Sequence, residues 1–193
     1  MSPAKKDIAI RPKSLTFMNA QIMFRNFSGA PGKFNAEGKR NFALFLTPEA
    51  AEAMIADNWN VKYLKPREED DVPQAMIAVN VKYGGKGRPP RVVIVTQKGK
   101  TEIGEDMLDI VDWMPIIDCD LIINPYFYDV SGRQGYSAYL QSIYVKMLED
   151  ELDIKYADVP DTAQSALADA GSPHLAIEAG DDSIYVDFEE VNG

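Results

Sequence analysis

The side chains best placed for chemistry in this sequence are cations standing beside aromatic rings. Lys33 precedes Phe34, Arg40 lies just before Phe42, Lys62 sits between Trp59 and Tyr63, Lys82 precedes Tyr83, and Arg133 comes shortly before Tyr136. Arg25 stands between Phe24 and Phe27. A polyanion with flat bases asks for this pairing of groups, because cations neutralise phosphates while each ring stacks a base for roughly 1–3 kcal/mol whatever its identity. The window Val72 to Thr101 adds weight, since it carries six bases (Lys82, Lys86, Arg88, Arg91, Lys98 and Lys100) and no acid. Aromatic residues also build cores, and Phe42 and Trp59 are expected to be buried. A lysine in a hairpin turn can serve solubility alone.

Other chemistries find less support. The single histidine, His174, lies near the C-terminus, and no Gly-x-Ser-x-Gly elbow occurs, so a Ser-His pair has nowhere to form. Gly84, Gly85 and Gly87 lack the Lys-Ser/Thr that completes a nucleotide-binding loop. Cys119 is the only cysteine, which excludes an internal disulfide and a Cys/His zinc site, and it reads as a small core residue. Acids crowd one stretch: eight occur from Glu102 to Asp129, with no base between Lys100 and Arg133. Asp106, Asp109, Asp112, Asp118 and Asp120 could bind magnesium in a nuclease if they converged. Asp118 and Asp120 would share a strand face while the others come from a loop, and nothing in the spacing brings them together. The expectation is therefore a binding protein with no catalytic site, metal or cofactor. A metal-dependent nuclease and a structural or adaptor protein stand as alternatives.

The elements that position these groups centre on Asp118 to Met147. Leu121–Tyr128 and Tyr136–Val145 are rich in β-branched and aromatic residues, and Asp129 to Gly135 between them has hairpin chemistry. Alternation predicts Leu121, Ile123 and Phe127 buried, with Tyr126 and Tyr128 outward beside Asn124. Those tyrosines would either stack a ligand or pack under a loop. Leu15 to Phe27 reads as a long first strand with a bulge, followed by a glycine-rich basic loop and the apolar strand Phe42–Leu46. Thr47-Pro48-Glu49 is a helix start, with the helix ending by Asn58. Gln74 to Tyr83 alternates cleanly, Val92–Val95 reads as a buried strand, and a short helix or turn spans Glu105 to Val111 with Trp113 packing down after it.

Charge divides the chain. The net charge is −10 overall, but residues 149–193 hold 13 acids against Lys155 alone, which leaves residues 1–148 at +2. Such asymmetry suits a nucleic-acid or membrane partner, an acidic interaction tail, or both. Residues 1–150 are expected to form one mainly β domain with one or two short helices, and residues 151–193 an acidic, largely disordered tail. No apolar run approaches the roughly 18 residues of a membrane span, so a cytoplasmic location is expected.

The order of a basic N-terminal arm, a long first strand, a Gly-Lys loop, Arg40-Asn41-Phe42-Ala43-Leu44-Phe45-Leu46 and a helix, then Asn124-Pro125-Tyr126-Phe127-Tyr128 and Gly135-Tyr136-Ser137-Ala138-Tyr139-Leu140 as a hairpin, resembles the single-stranded-DNA-binding replication proteins of tailed bacteriophages. That resemblance, over roughly residues 8–150 in layout, implies an OB-fold barrel whose strand faces and loops form the nucleic-acid groove. It also implies sequence-independent binding and protection of single-stranded DNA in replication, recombination or repair, in the host cytoplasm. The tail would recruit a polymerase, helicase or primase. Arg25, Lys33, Phe34, Arg40, Trp59, Tyr63, Lys82, Tyr83, Lys86, Arg88, Arg91, Tyr126, Arg133, Tyr136 and Tyr139 are the candidate DNA contacts. Tyr185, Asp187, Phe188, Glu189 and Glu190 are the candidate partner-binding residues of the tail. Phe188 departs from the family's terminal aromatic, because Glu189 to Gly193 follow it. The assembly expected is a monomer or homodimer.

Overall fold

A computed structural model describes residues 11–33, 35–66, 72–155 and 158–159. In chain order the strands are β1 (Leu15–Ala20), β2 (Ile22–Asn26), β3 (Arg40–Phe45), β4 (Val61–Tyr63), β5 (Ala75–Val81), β6 (Arg91–Thr96), β7 (Gly99–Ile103), β8 (Ile116–Val130) and β9 (Arg133–Met147). Short helices α1 (Pro48–Ala56), α2 (Ile110–Trp113) and α3 (Glu151–Lys155) interrupt them, with a 3-10 turn at Glu105–Met107. The mainly β expectation holds. By compactness the chain divides into Met1–Ala157 and Asp158–Gly193, and the second unit lies almost wholly outside the described residues. Tyr185, Asp187, Phe188, Glu189 and Glu190 of the tail fall there, as does Phe34 in the body.

The hairpin β8–β9 is the spine. Its strands are 15 residues each, and the turn places Ser131 at φ 52° and Gly132 at φ 80°, the doubly left-handed geometry whose twist matches the flanking strands. β1 pairs antiparallel with β8. The far edge of β9 is shared by three segments: Trp59 bridges to Tyr136, β5 runs parallel at Ala138 and Tyr139, and β6 runs parallel from Ser142 to Lys146. β3 lies antiparallel on β5 from Arg40↔Val81 to Phe45↔Met76, and β2 lies on β3.

The hydrogen-bonded path β1-β8-β9-β5-β3-β2 is not closed by a ladder. Its two edges are nonetheless successive pieces of one segment, with Gln21 alone between them and the Gln21 carbonyl accepting the Phe45 N–H at 3.0 Å. The expected long, bulged first strand is thus a bent one that serves both edges. Its register slips between Phe17 and Ala20 and again between Met23 and Asn26, where Asn19 and Phe24 take φ near 50°.

Burial follows the alternation. Leu121, Ile123, Ile143 and Val145 of the hairpin meet Phe42, Leu44, Ile77, Val79 and Val92, and the Phe27 and Phe42 rings stack at 5.2 Å. Each such side chain, removed from water, contributes about 1.5–3 kcal/mol. Thr47 caps α1 by accepting the Ala50 N–H, and the helix buries Ala51 and Met54. Cys119 is a core residue, its thiol pushed up to about 12 first by burial and then by Asp118 and Asp120.

Two apolar expectations fail for geometric reasons. Phe127 is half exposed, because the outer end of the hairpin extends past the core and leaves the ring edge-on against Tyr136 at 5.7 Å. Trp113 does not pack down: the helical spacing buries Leu108, Val111 and Met114, which turns Met107, Ile110 and Trp113 outward. The acids scatter. Asp112 accepts the N–H groups of Phe27 and Ser28 at 2.6 and 2.9 Å, while Asp118 and Asp120 face Lys146 at 2.7 and 3.7 Å. No group of three or more His, Cys, Asp or Glu converges among the described residues. Among these residues no helix is long and apolar enough to cross a membrane.

Candidate nucleic-acid interface

The alternation that buries Leu121 and Ile123 turns Asn124, Tyr126 and Tyr128 to the other face of β8, as the sequence predicts. Register then decides what stands beside them. Asn124 pairs with Tyr139 and Tyr126 with Ser137 across the hairpin, Tyr139 pairs with Asn80 on β5, and Asn80 pairs with Asn41 on β3. Residues in register share a face, so a row Asn41–Asn80–Tyr139–Asn124 crosses four strands, with Tyr126 next along β8. The Tyr126 and Tyr139 rings meet at 5.1 Å, tilted by 52°, and Tyr126 remains 61% exposed. Some amide groups of the row are already engaged. Asn80 donates to the Ala138 carbonyl at 3.2 Å, Asn41 donates to Asn35 Oδ1 at 2.8 Å, and Asn124 Oδ1 accepts from the Ser14 hydroxyl at 2.6 Å.

One cleft includes residues of this row, and a second lies farther along the β8–β9 hairpin. The first, about 240 Å³, is lined by Gly38, Lys39, Arg40, Asn80, Val81, Lys82, Tyr83 and Tyr139. The Arg40 guanidinium lies 5.6 Å over the Tyr83 ring and is ion-paired to Glu105 at 2.8 Å. The Tyr83 hydroxyl donates to the Pro90 carbonyl at 3.2 Å and is held above its ordinary pKa, by burial first and by Glu105 second. The second cleft, about 410 Å³, is lined by Asn60, Lys62, Tyr128, Val130, Arg133 and Ser137. Tyr139 and Asn80 of the row line the first cleft, while Ser137, the cross-strand partner of Tyr126, and Tyr128, two residues on along β8, line the second. The exposed loop 84–89, with Lys86 and Arg88, follows directly from Lys82 and Tyr83. Lys33 is exposed in the loop before β3.

The remaining predicted contacts lie elsewhere. Trp59 and Tyr136 are each 4% exposed, with their rings 6.4 Å apart, and they belong to the core rather than to an open stacking face. Backbone pairing buries them, because the Tyr136 N–H donates to the Asn58 carbonyl at 2.8 Å and the Asn60 N–H to the Tyr136 carbonyl at 2.9 Å. Arg25 spends its guanidinium on the carbonyls of Val111 and Met114, at 3.0 and 2.8 Å, which fastens α2 to β2. Arg91 pairs with Glu102 at 2.7 Å and donates to the Tyr144 hydroxyl at 2.9 Å, farther down β9. Tyr63 ends β4, half exposed. Sequence reasoning left Asn41, Asn80, Lys39 and Ser137 out of its contact set. A signal existed for Asn80, the one polar residue of the otherwise apolar β5, but its alignment with Asn41 depends on register.

No curated protein matches the chain. Among solved structures it is similar to the single-stranded DNA-binding protein of bacteriophage Enc34, with 12% identity, a TM-score of 0.47, and 85% of this chain and 97% of that one covered. The same Enc34 protein in complex with ssDNA gives 12% identity, a TM-score of 0.46, and coverage of 72% and 88%. The single-stranded DNA-binding protein gp2.5 of bacteriophage T7 gives 12% identity, a TM-score of 0.39, and coverage of 78% and 98%. The family described as "Putative phage ssDNA-binding domain" matches residues 4–192, nearly the whole sequence, and the chain belongs to that family.

Proposed function

We propose that this protein binds single-stranded DNA without sequence preference and protects it during phage DNA replication, recombination or repair in the cytoplasm of the host. The observation that carries this reading is the Tyr126–Tyr139 ring pair, with Tyr126 exposed and Tyr139 half-buried, beside one cation-lined cleft and near a second farther along the hairpin. Stacking on exposed rings tolerates every base, and cations spaced along a face follow a phosphate backbone. The strand's track runs from Lys39, Arg40 and Lys82, past Tyr139 and Tyr126, to Lys62 and Arg133. Lys33, Tyr83, Lys86 and Arg88 flank its first half. Trp59, Tyr136, Arg25 and Arg91 support the track rather than touch the strand, and Tyr63 borders it.

The protein acts by binding, with no catalytic step of its own. Residues 1–150 form the DNA-binding domain and the acidic residues 151–193 the interaction tail. The tail competes for the groove as a polyanion mimic and, once displaced, recruits a polymerase, helicase or primase through Tyr185, Asp187, Phe188, Glu189 and Glu190. The working unit is a monomer or homodimer. Fluorescence anisotropy of labelled poly(dT) and of a matching duplex, across a salt series, tests the reading. Tight single-strand binding that weakens linearly with log salt, with duplex far weaker, is the expected result. Absence of single-strand binding at low salt would overturn it.

A further inference from the structure

The ion pair at the mouth of the first cleft is incomplete in a way that matters. Among the described residues only one edge of the Arg40 guanidinium is bonded, its Nη1 to a Glu105 oxygen at 2.8 Å, while the buried Nε finds no acceptor there. Arg40 is largely shielded, at 20% side-chain exposure, whereas Glu105 reaches in from the 3-10 turn and is 52% exposed. A buried donor left unpaired is costly, and arginine's planar fork is built to take two oxygens of one anion. A mostly exposed carboxylate holding one edge is therefore a weak occupant of a strong site. Lys39 and Lys82 line the same cleft and keep its potential positive when the carboxylate leaves.

We infer that Arg40 is a phosphate-binding cation of the interface and that Glu105 is its intramolecular stand-in, a carboxylate that a backbone phosphate of the strand displaces. This inference rests on the single-strand reading above. In the unbound protein Glu105 fixes Arg40 over Tyr83 and keeps other anions off it. On binding, the guanidinium turns to the strand and pairs through both edges, and Glu105 returns to water. A carboxylate in the groove thus lowers affinity while it preserves the geometry of the arginine.

The test uses the full chain and four variants: Glu105→Gln, Arg40→Gln, the double variant, and Glu52→Gln. The last, exposed on α1, removes the same charge outside the cleft. Binding to poly(dT) is measured across salt, with thermal melts to show that each variant folds. Glu105→Gln is expected to bind roughly five- to tenfold more tightly at low salt. Its log–log salt slope should steepen by about 0.7, the value of one added phosphate contact on a single strand. Glu52→Gln should give a much smaller gain, and the double variant should lose the gain of Glu105→Gln altogether. If Glu105→Gln matches Glu52→Gln while the unaltered chain binds normally, the masking role is overturned and the single-strand reading survives. If the double variant keeps the gain, Arg40 is not the group unmasked. If the unaltered chain fails to bind, both readings fall together.

Discussion

Tyr126 and Trp59 are both aromatic, both close in sequence to groups that suit nucleic acid, and the fold gives them opposite surroundings. Tyr126 stands on the solvent face of a strand with Tyr139 against it, and Trp59 is closed in by its bridge to Tyr136. Tyr126→Ala and Tyr139→Ala are each expected to cost about 1–3 kcal/mol of single-strand affinity with little change in melting temperature. Trp59→Ala is expected instead to cost about 3–5 kcal/mol of folding stability. Anisotropy titrations paired with denaturant unfolding check both halves. A Trp59 variant that folds normally and loses affinity would place that ring on the strand after all.

At the scale of elements, the hairpin tip depends on Gly135. A Cβ there would stand 2.9 Å from the Asn58 carbonyl oxygen and 2.8 Å from the Tyr128 hydroxyl. The hydroxyl can swing aside, but the carbonyl is tied to the Tyr136 N–H at 2.8 Å and cannot yield without opening the bridge that seats Trp59. Gly135→Ala should therefore destabilise the protein by about 1–3 kcal/mol. Gly87, with open space around its position and no left-handed φ, is the control, and Gly87→Ala should change stability by less than about 0.5 kcal/mol. Equal unfolding midpoints for the two variants would remove the close approach from the account of the tip.

Over the whole molecule, the decisive quantity is where the charge sits. Nine acids and no base lie from Asp158 to the C-terminus, while residues 1–148 carry a net charge of +2. A polyanion tethered to a cationic groove has a high effective concentration, and salt screens it over about 10 Å at 0.1 M. Removing residues 158–193 is expected to tighten single-strand binding at low salt, with the difference shrinking as salt rises. Salt-series titrations of the full and shortened chains decide this, and identical affinities at every salt would mean that the tail does not compete.

The sequence by itself determined what local periodicity can determine. The hairpin, its left-handed turn, the Thr47 cap, the outward Asn124-Tyr126-Tyr128 triplet and the buried Phe42 are all written as alternation, capping and turn chemistry within a few residues of one another. Only tertiary structure decided which side chains share a face, because register between β3, β5, β9 and β8 aligns Asn41, Asn80, Tyr139 and Asn124 from positions far apart in the chain. It likewise decided which cations meet the acids. The basic window 72–101 and the acidic run after it look separate along the chain, yet the β6–β7 hairpin sets Arg91 on Glu102, and the turn after β7 sets Glu105 on Arg40. Sequence fixes an element's pattern through neighbours bonded to it, whereas a charge or a ring finds its partner through contacts that exist only once the chain has folded.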